Sequence, residues 1–388
     1  MGQDFSNKRI LLLLPEAFGR PGGIQMFCRA LSMAAGRWAK REGASVSAVV
    51  LNDGSEPDAR YVNGGFDCFA HAGRSKTKFV GNYLRLLTGA RYDLVVSAHV
   101  SLAPLALLAR ARGRRVRTAV IAYGVEVWRP LSAAQRAALR RADAVLSISD
   151  YTSEELSKWG GVEAGKIRLF PCTLDPFWEV EETASAAGAP PAGSHAPVIL
   201  SVVRMEKEDR YKGIDSVIES LPMVVREMGA VDYRVVGRGA DVPRLKALAD
   251  RLGVARYVTF AGGLGDLELR DEYRRCSLFV MPSEKEGFGI VFLEAMAYGK
   301  AVVGGAHGGT PSVVADGLTG LLVKRSDTAG LALALVRLLG DSSLRERMGR
   351  AGRERLLAEF TFDKFESNLD EFLRSSLSQK AHKADLAH

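Results

Sequence analysis

Cysteine is scarce. The four in 388 residues, Cys28, Cys68, Cys172 and Cys276, stand far apart with no C-x-x-C pair. That spacing excludes a disulfide framework and a zinc site built on paired thiols, and predicts isolated reduced cysteines. Long apolar runs are also missing: nothing approaches the roughly 18 consecutive apolar residues that a membrane-spanning helix needs. The first apolar run, Ile10 to Leu14, stops at Pro15-Glu16 without the length or cleavage pattern of a secretory leader. A soluble, cytoplasmic protein is expected. No D-x-D pair of carboxylates occurs, so the usual acidic means of holding a divalent cation on a diphosphate is lacking, and neither a metal nor a cofactor is expected. Gly237-Arg238-Gly239 falls short of G-x-G-x-x-G because Val242 stands at the third glycine position, which removes the dinucleotide oxidoreductase fingerprint.

The composition that remains is that of a globular protein, 47% hydrophobic and 25% charged. Its length suits two domains better than one core. The net charge of +8 is unevenly placed. Residues 1–178 hold 25 Lys and Arg against 15 Asp and Glu, leaving 28 against 30 in the rest. The densest block is Arg110, Arg112, Arg114, Arg115 and Arg117, followed by Arg136, Arg140 and Arg141 on an expected helix. A basic half suits peripheral contact with anionic lipid at the inner face of a membrane, or an acceptor carrying phosphate. A solvated arginine-rich face is the competing reading. Nucleic acid is not expected as a partner, since no aromatic residues interleave with these arginines.

Periodicity predicts strand and helix in alternation. In the first half, strands fall at Lys8 to Pro15, Ser45 to Leu51, Leu94 to Ala98, Val116 to Ala122 and Ala144 to Ile148, with helices at Gly23 to Ala39 and Ala103 to Arg110. The Ala-, Gly-, Pro- and Ser-rich stretch 181–196 reads as a linker. Beyond it come strands at Val198 to Val203, Tyr233 to Val236, Tyr257 to Ala261, Leu278 to Met281, Ala301 to Gly304 and Gly320 to Val323. Helices are expected at Gly213 to Met228, at Val242 to Leu252, from Phe288, and through the tail from Thr328 to Leu377. The fold class is therefore α/β: two Rossmann-like, doubly wound domains, 1–180 and 197–360.

Chemistry concentrates in the second domain. The buried strand ending at Met281 leads into Glu286-Gly287-Phe288-Gly289-Ile290 and an apolar helix that carries Glu294. Strand, glycine turn and helix start together place backbone N–H groups where a phosphate can sit. The eight-residue separation gives at most about 12 Å of rise, too far for a retaining glycosidase dyad at roughly 5–5.5 Å. It suits two clamps on one long ligand. The bland alternative is a solvated Glu286 and a capping Glu294. Arg204 ends the first strand of this domain and Lys212 precedes its first helix, so two cations stand where open α/β sheets bind ligands and where a departing diphosphate needs charge neutralised.

Glu286 to Glu294 resembles the E-x7-E signature of the retaining sugar-nucleotide glycosyltransferases of family 4, which have the GT-B fold. The likeness runs from about Val198 to Val323, and more loosely over the first half. The resemblance implies that Glu286 contacts the donor sugar, Glu294 the ribose hydroxyls, and the turn through Gly287, Phe288, Gly289 and Ile290 the diphosphate. It matches Arg204 and Lys212 to the family's Arg and Lys, sets Gly237 beside the nucleotide, and makes Gly22-Gly23 a glycine loop facing the donor phosphates. It further implies that the two domains face a central cleft and that residues 361–388 form a helix crossing back to the first domain. His99, just after a strand, is either a site residue or a strand-end histidine bonded to backbone. Tyr123, with Glu126 behind it, occupies a place where relatives usually carry His, and Cys172 one where they carry Asn; both are departures. His307 lies in a glycine-rich loop where a histidine is more often structural. The implied activity is retaining, metal-independent transfer of a hexose from a nucleotide diphosphate sugar to a glycan or lipid-linked oligosaccharide in cell-surface polysaccharide synthesis. GDP-mannose is favoured over UDP-glucose as donor. A non-catalytic nucleotide-sugar or glycan-binding subunit is the alternative from another class. An epimerase or phosphorylase is a third, without identifiable catalytic acids or a pyridoxal lysine.

Overall fold

The computed structural model describes residues 4–54, 56–62, 64–112, 116–178 and 196–378. The linker stretch up to residue 195, Arg114 and Arg115, and the residues beyond 378 lie outside that set. The chain divides into two compact units, one of residues up to Phe177 together with those from Thr361 onward, the other of Trp178–Phe360.

The first unit contains β1 (Arg9–Leu14), α1 (Gly23–Glu42), β2 (Ser45–Val50), β3 (Phe66–His71), α2 (Lys76–Gly89), β4 (Leu94–Ser97), α3 (Ala103–Leu108), β5 (Arg117–Ala122), α4 (Ala133–Arg141), β6 (Ala144–Ser147), α5 (Asp150–Glu155) and β7 (Ile167–Leu169). The strands form one sheet in the order β3-β2-β1-β4-β5-β6-β7. Every pairing is parallel, with Leu11 beside Ser47 on one flank and Val95 on the other. Parallel strands covered on both faces must be apolar throughout, and Ile10 to Leu14 are all buried.

In the second unit, β8 (Val198–Val202), α6 (Ile214–Met228), β9 (Asp232–Val236), α7 (Val242–Arg251), β10 (Val258–Gly262), α8 (Asp266–Arg275), β11 (Leu278–Met281), α9 (Ile290–Ala297), β12 (Ala301–Gly305), α10 (Thr310–Val313) and β13 (Gly320–Val323) follow in turn. The sheet order is β10-β9-β8-β11-β12-β13, again parallel. After these come α11 (Thr328–Gly340) and α12 (Ser342–Glu359). Strand order reverses between β1 and β4 in the first sheet and between β8 and β11 in the second. At such switch points the loops leaving neighbouring strands diverge and open a crevice. Gly22-Gly23 and His99 follow the first pair of strands; Arg204 and Glu286 follow the second.

The last helix, α13 (Phe362–Ser378), belongs to the first unit. Phe365 is buried with its ring edge-on to Phe27 at 5.2 Å and Phe170 at 4.8 Å. Arg374 bonds Glu42 at 2.5 Å and Arg41 bonds Asp370 at 2.8 Å, binding α13 to the end of α1. Sequence periodicity passes over β3, α2, α5, β7, α8 and α10. β3 and β7 are edge strands without the continuous burial of the central ones, and α8 (DLELRDEYRR) carries too few apolar residues to show a stripe. Among the described residues no helix is long and apolar enough to cross a membrane.

Truncating Phe365 to Ala empties a site among three aromatic rings. The expected cost is about 3–5 kcal/mol. Calorimetry should show the transition of the first unit lowered by roughly 10 °C, with that of the second unit unmoved.

Candidate active site

In the second unit the loops leaving β8, β9, β11 and β12 are stitched together by main-chain hydrogen bonds. Met205 N–H donates to Arg238 C=O at 2.9 Å, and Asp241 N–H to Met205 C=O at 2.9 Å. Glu284 N–H donates to Tyr211 C=O at 2.8 Å, and Gly309 N–H to Glu286 C=O at 2.6 Å. Two glycines permit this closeness. A Cβ on Gly237, whose φ is 136°, would lie 1.9 Å from the Val203 carbonyl oxygen. A Cβ on Gly309 would lie 1.9 Å from that of Gly287. No side chain fits either gap.

This framework brings Lys212 and Glu286 together from residues 74 apart: Lys212 Nζ donates to Glu286 Oε2 at 2.5 Å. Both side chains are largely covered, at 20% and 15% exposure. Burial is the largest influence on the Lys212 ammonium and would depress it, but Glu286, Tyr211 and Asp209 together outweigh it and the net shift is upward, so the lysine is charged. The same ammonium lies 5.2 Å over the Tyr211 ring. Glu286 is therefore not a solvated surface acid.

Arg204 is held differently. Asp209, itself buried, accepts from its Nε at 2.5 Å and its Nη2 at 2.9 Å, while the arginine side chain stays 69% exposed. Asp209 thereby fixes one edge of the guanidinium and leaves the rest open to solvent. Behind this loop a second buried carboxylate, Asp241, accepts from Arg210 at 2.9 Å and from Arg244 at 2.5 Å. It anchors the turn Lys207–Lys212 from beneath.

The helix after the glycine turn begins at Ile290, slightly later than the expected Phe288 or Gly289, because Gly289 adopts a left-handed conformation (φ 99°) and acts as N-cap without a side-chain bond. Phe288 turns its ring into the core, edge-on to Phe360 at 5.6 Å, so only its main chain faces the turn. Glu294 lies mid-helix and is buried, its Oε2 accepting from the Tyr273 hydroxyl at 2.6 Å. Tyr273 stacks on Tyr298 and is itself buried, which pushes its phenol well up. A capping role for Glu294 is thus excluded.

At the switch point of the first unit, Gly22 is the N-cap of α1 and Gly23 its first residue. Two buried acids shape the loop ahead of them. Asp53 accepts from the N–H groups of Ala17, Phe18 and Gly19 at 3.0–3.2 Å, and Glu16 accepts from Gln25 at 2.6 Å. His99 Nδ1 accepts from Ser101 N–H at 3.1 Å and caps the short turn after β4. Its Nδ1 also meets the Ser101 hydroxyl at 2.8 Å. Burial lowers its basicity, with Glu126 opposing. Tyr123 stacks on His99 at 6.1 Å, and its hydroxyl meets the Cys28 thiol at 3.7 Å in the core. Glu126 accepts the Tyr123 N–H at 2.5 Å, a structural bond. Among the described residues no group of three or more His, Cys, Asp or Glu converges as a metal site.

Sequence reading missed Asp209, Asp241, Tyr273, Asp53 and Glu16. Each is one polar residue among many along the chain. A buried-side position in an expected helix was the available signal for Tyr273, had α8 been recognised.

Two Rossmann-like units, each built on one parallel sheet, make this the GT-B architecture. Solved structures share it: sucrose-phosphate synthase from Thermosynechococcus elongatus superposes with a TM-score of 0.77 at 23% identity, over 96% of this chain and 100% of that one. HepE from Anabaena, in complex with UDP and glucose, superposes with a TM-score of 0.73 at 19% identity, over 95% and 100%. Residues 188–355 match the family Glycosyl transferases group 1, and residues 23–173 the Glycosyl transferase 4-like domain. A GDP-mannose-dependent alpha-(1-6)-phosphatidylinositol monomannoside mannosyltransferase of Mycobacterium tuberculosis is 32% identical over 300 residues, which is 74% of this chain and 77% of the relative. Its counterpart in Mycolicibacterium smegmatis is 30% identical over 361 residues, 89% and 92% of the two chains. The chain belongs to the family 4 glycosyltransferases and is an enzyme of glycosyl transfer.

The paired arginines hold the Asp241 carboxyl, already buried, well below its ordinary value of 3.8. A depressed native pKa means that the stabilisation is present above the unfolded value and is lost as pH falls through the native one. The stability of the second unit should therefore decline as pH drops below about 4. Asp241→Asn should flatten that decline while lowering stability at pH 7 by about 2–4 kcal/mol, both read from urea titrations across pH.

Proposed function

We propose that the enzyme is a retaining, metal-independent mannosyltransferase that uses GDP-mannose and acts on a lipid-linked acceptor. The observation that carries this is the Lys212–Glu286 pair, 2.5 Å apart beside the amide end of α9. It supplies a cation for a diphosphate and a carboxylate for sugar hydroxyls at one point. Arg204, Lys212 and the main-chain amides from Gly287 to Ile290 neutralise the charge that grows on the departing diphosphate. Glu286 orients the sugar, Glu294 takes the ribose hydroxyls and Gly237 lets the nucleotide approach the β9 turn. The acceptor oxygen bonds to the anomeric carbon on the face from which the phosphate leaves, and its proton passes to a phosphate oxygen of the leaving group. No covalent enzyme intermediate is required. Neither His99, with Nδ1 committed to Ser101, nor Tyr123, with its hydroxyl on Cys28, has a step in this scheme.

The donor assignment rests on the two mycobacterial relatives, whose names specify GDP-mannose and a phosphatidylinositol mannoside. UDP-glucose is the second choice of donor, and polysaccharide rather than glycolipid synthesis the second choice of context. The surplus of Lys and Arg in the first half supports peripheral contact with an anionic membrane surface carrying the acceptor; nucleic acid has no place in the scheme.

Thermal-shift titration with GDP, UDP and ADP and their sugar conjugates in EDTA should give selective stabilisation by GDP and GDP-mannose. Selective stabilisation by UDP compounds would replace the donor, and a strict need for magnesium would overturn metal independence. Glu286→Ala should reduce kcat by about 10²–10³-fold, measured as mannose transfer to a lipid-extract acceptor.

A further inference from the structure

The contact that identifies the donor site also competes with the donor. Lys212 Nζ is bonded to Glu286 Oε2 at 2.5 Å, and both side chains are largely covered. Its ammonium lies between that carboxylate and the Tyr211 ring. A phosphate that recruits Lys212 competes with Glu286 for the three N–H donors of one ammonium, and a diphosphate that takes the ammonium over draws it off the carboxylate. That leaves a poorly solvated carboxylate needing new partners.

We propose that Glu286 makes the diphosphate site discriminate between the sugar-bearing donor and the spent nucleoside diphosphate, by reclaiming Lys212 once the sugar has left; this rests on the donor-site reading above. While the sugar is attached, its hydroxyls satisfy Glu286 and free Lys212 for the phosphates. After transfer those hydroxyls depart with the acceptor. Glu286 is then a largely covered anion whose structural partner is Lys212, and re-forming the pair withdraws one cation from the product. The need for such an exchange follows from charge. The product diphosphate carries an additional ionisable terminal oxygen and would otherwise hold the cations more tightly than the donor did. Arg204 has its own carboxylate in Asp209, bound through two nitrogens, so the exchange falls on Lys212.

Calorimetric titration of the full chain with GDP and with UDP in EDTA tests this, using wild type, Glu286→Gln, Lys212→Met and the double variant. Glu286→Gln should bind the cognate nucleoside diphosphate about tenfold or more tightly than wild type, although it turns over poorly. In the Lys212→Met background the same change should shift affinity by no more than about twofold, because no cation remains to be released. Glu286→Ala gives the same ordering if the Gln variant does not fold. Unchanged or weaker binding by both Glu286 variants overturns the inference and leaves the donor site standing. An equal gain in both backgrounds also overturns it, since removal of a nearby negative charge would then be sufficient. Failure of wild type and every variant to bind either nucleotide overturns the donor-site reading and this inference together.

Discussion

A lysine and a glutamate from opposite sides of a switch point can be held 2.5 Å apart only if the loops carrying them do not drift. Main-chain contact supplies that constraint. The loop after β8 is tied to the loop after β11 through Glu284 N–H and Tyr211 C=O, and the loop after β11 to the loop after β12 through Gly309 N–H and Glu286 C=O. Such bonds need the backbones within hydrogen-bond distance, which a side chain at Gly309 would prevent. Gly309, outside the Glu286–Glu294 motif, thus serves to hold the main chain that carries the Glu286 carboxylate. Rigid loops also make the electrostatics definite, because the ion pair cannot relax by moving its supports.

Around this frame the polar residues divide by the partners they have. Asp209 and Asp241 each grip arginine and so set where the cationic loop lies. Tyr273 occupies one oxygen of Glu294 and fixes its carboxylate against the helix. Buried charges with full partners cost little once formed and a great deal when half-removed, so these residues hold geometry. Lys212 and Glu286 are satisfied by each other alone among the bonds described, and a ligand offering both phosphate and hydroxyl can replace that bond on each side. The first unit uses the same device: Asp53 holds the main chain of the loop after β1 while Glu16 fixes Gln25 at the start of α1.

Much of this was legible in the order of residues. The strand–glycine–helix succession around Glu286 and the cations following β8 are placed together by strand alternation, which brings their loops to one sheet end. The central strands announce themselves as unbroken apolar runs, as at Ile10 to Leu14, since a parallel strand is covered on both faces. Edge strands and polar helices did not, because half-covered segments lack that signal; β3 and α8 are the cases in point. Tyr123 shows the limit from another side. Its place in the motif marks it as a site candidate, and only packing reveals that its hydroxyl meets Cys28.

What the sequence determined by itself was the buried central strands, the amphipathic helices between most of them and the sheet end to which the Glu286 turn leads, for periodicity and glycine placement are local properties that survive in one dimension. Which charges meet was decided by tertiary structure alone. Lys212 and Glu286 are separated by 74 residues, Arg210 and Asp241 by 31, and Tyr273 and Glu294 by 21. No spacing rule connects those pairs. They meet because parallel pairing sets the strand ends side by side and close backbone approach holds the loops there.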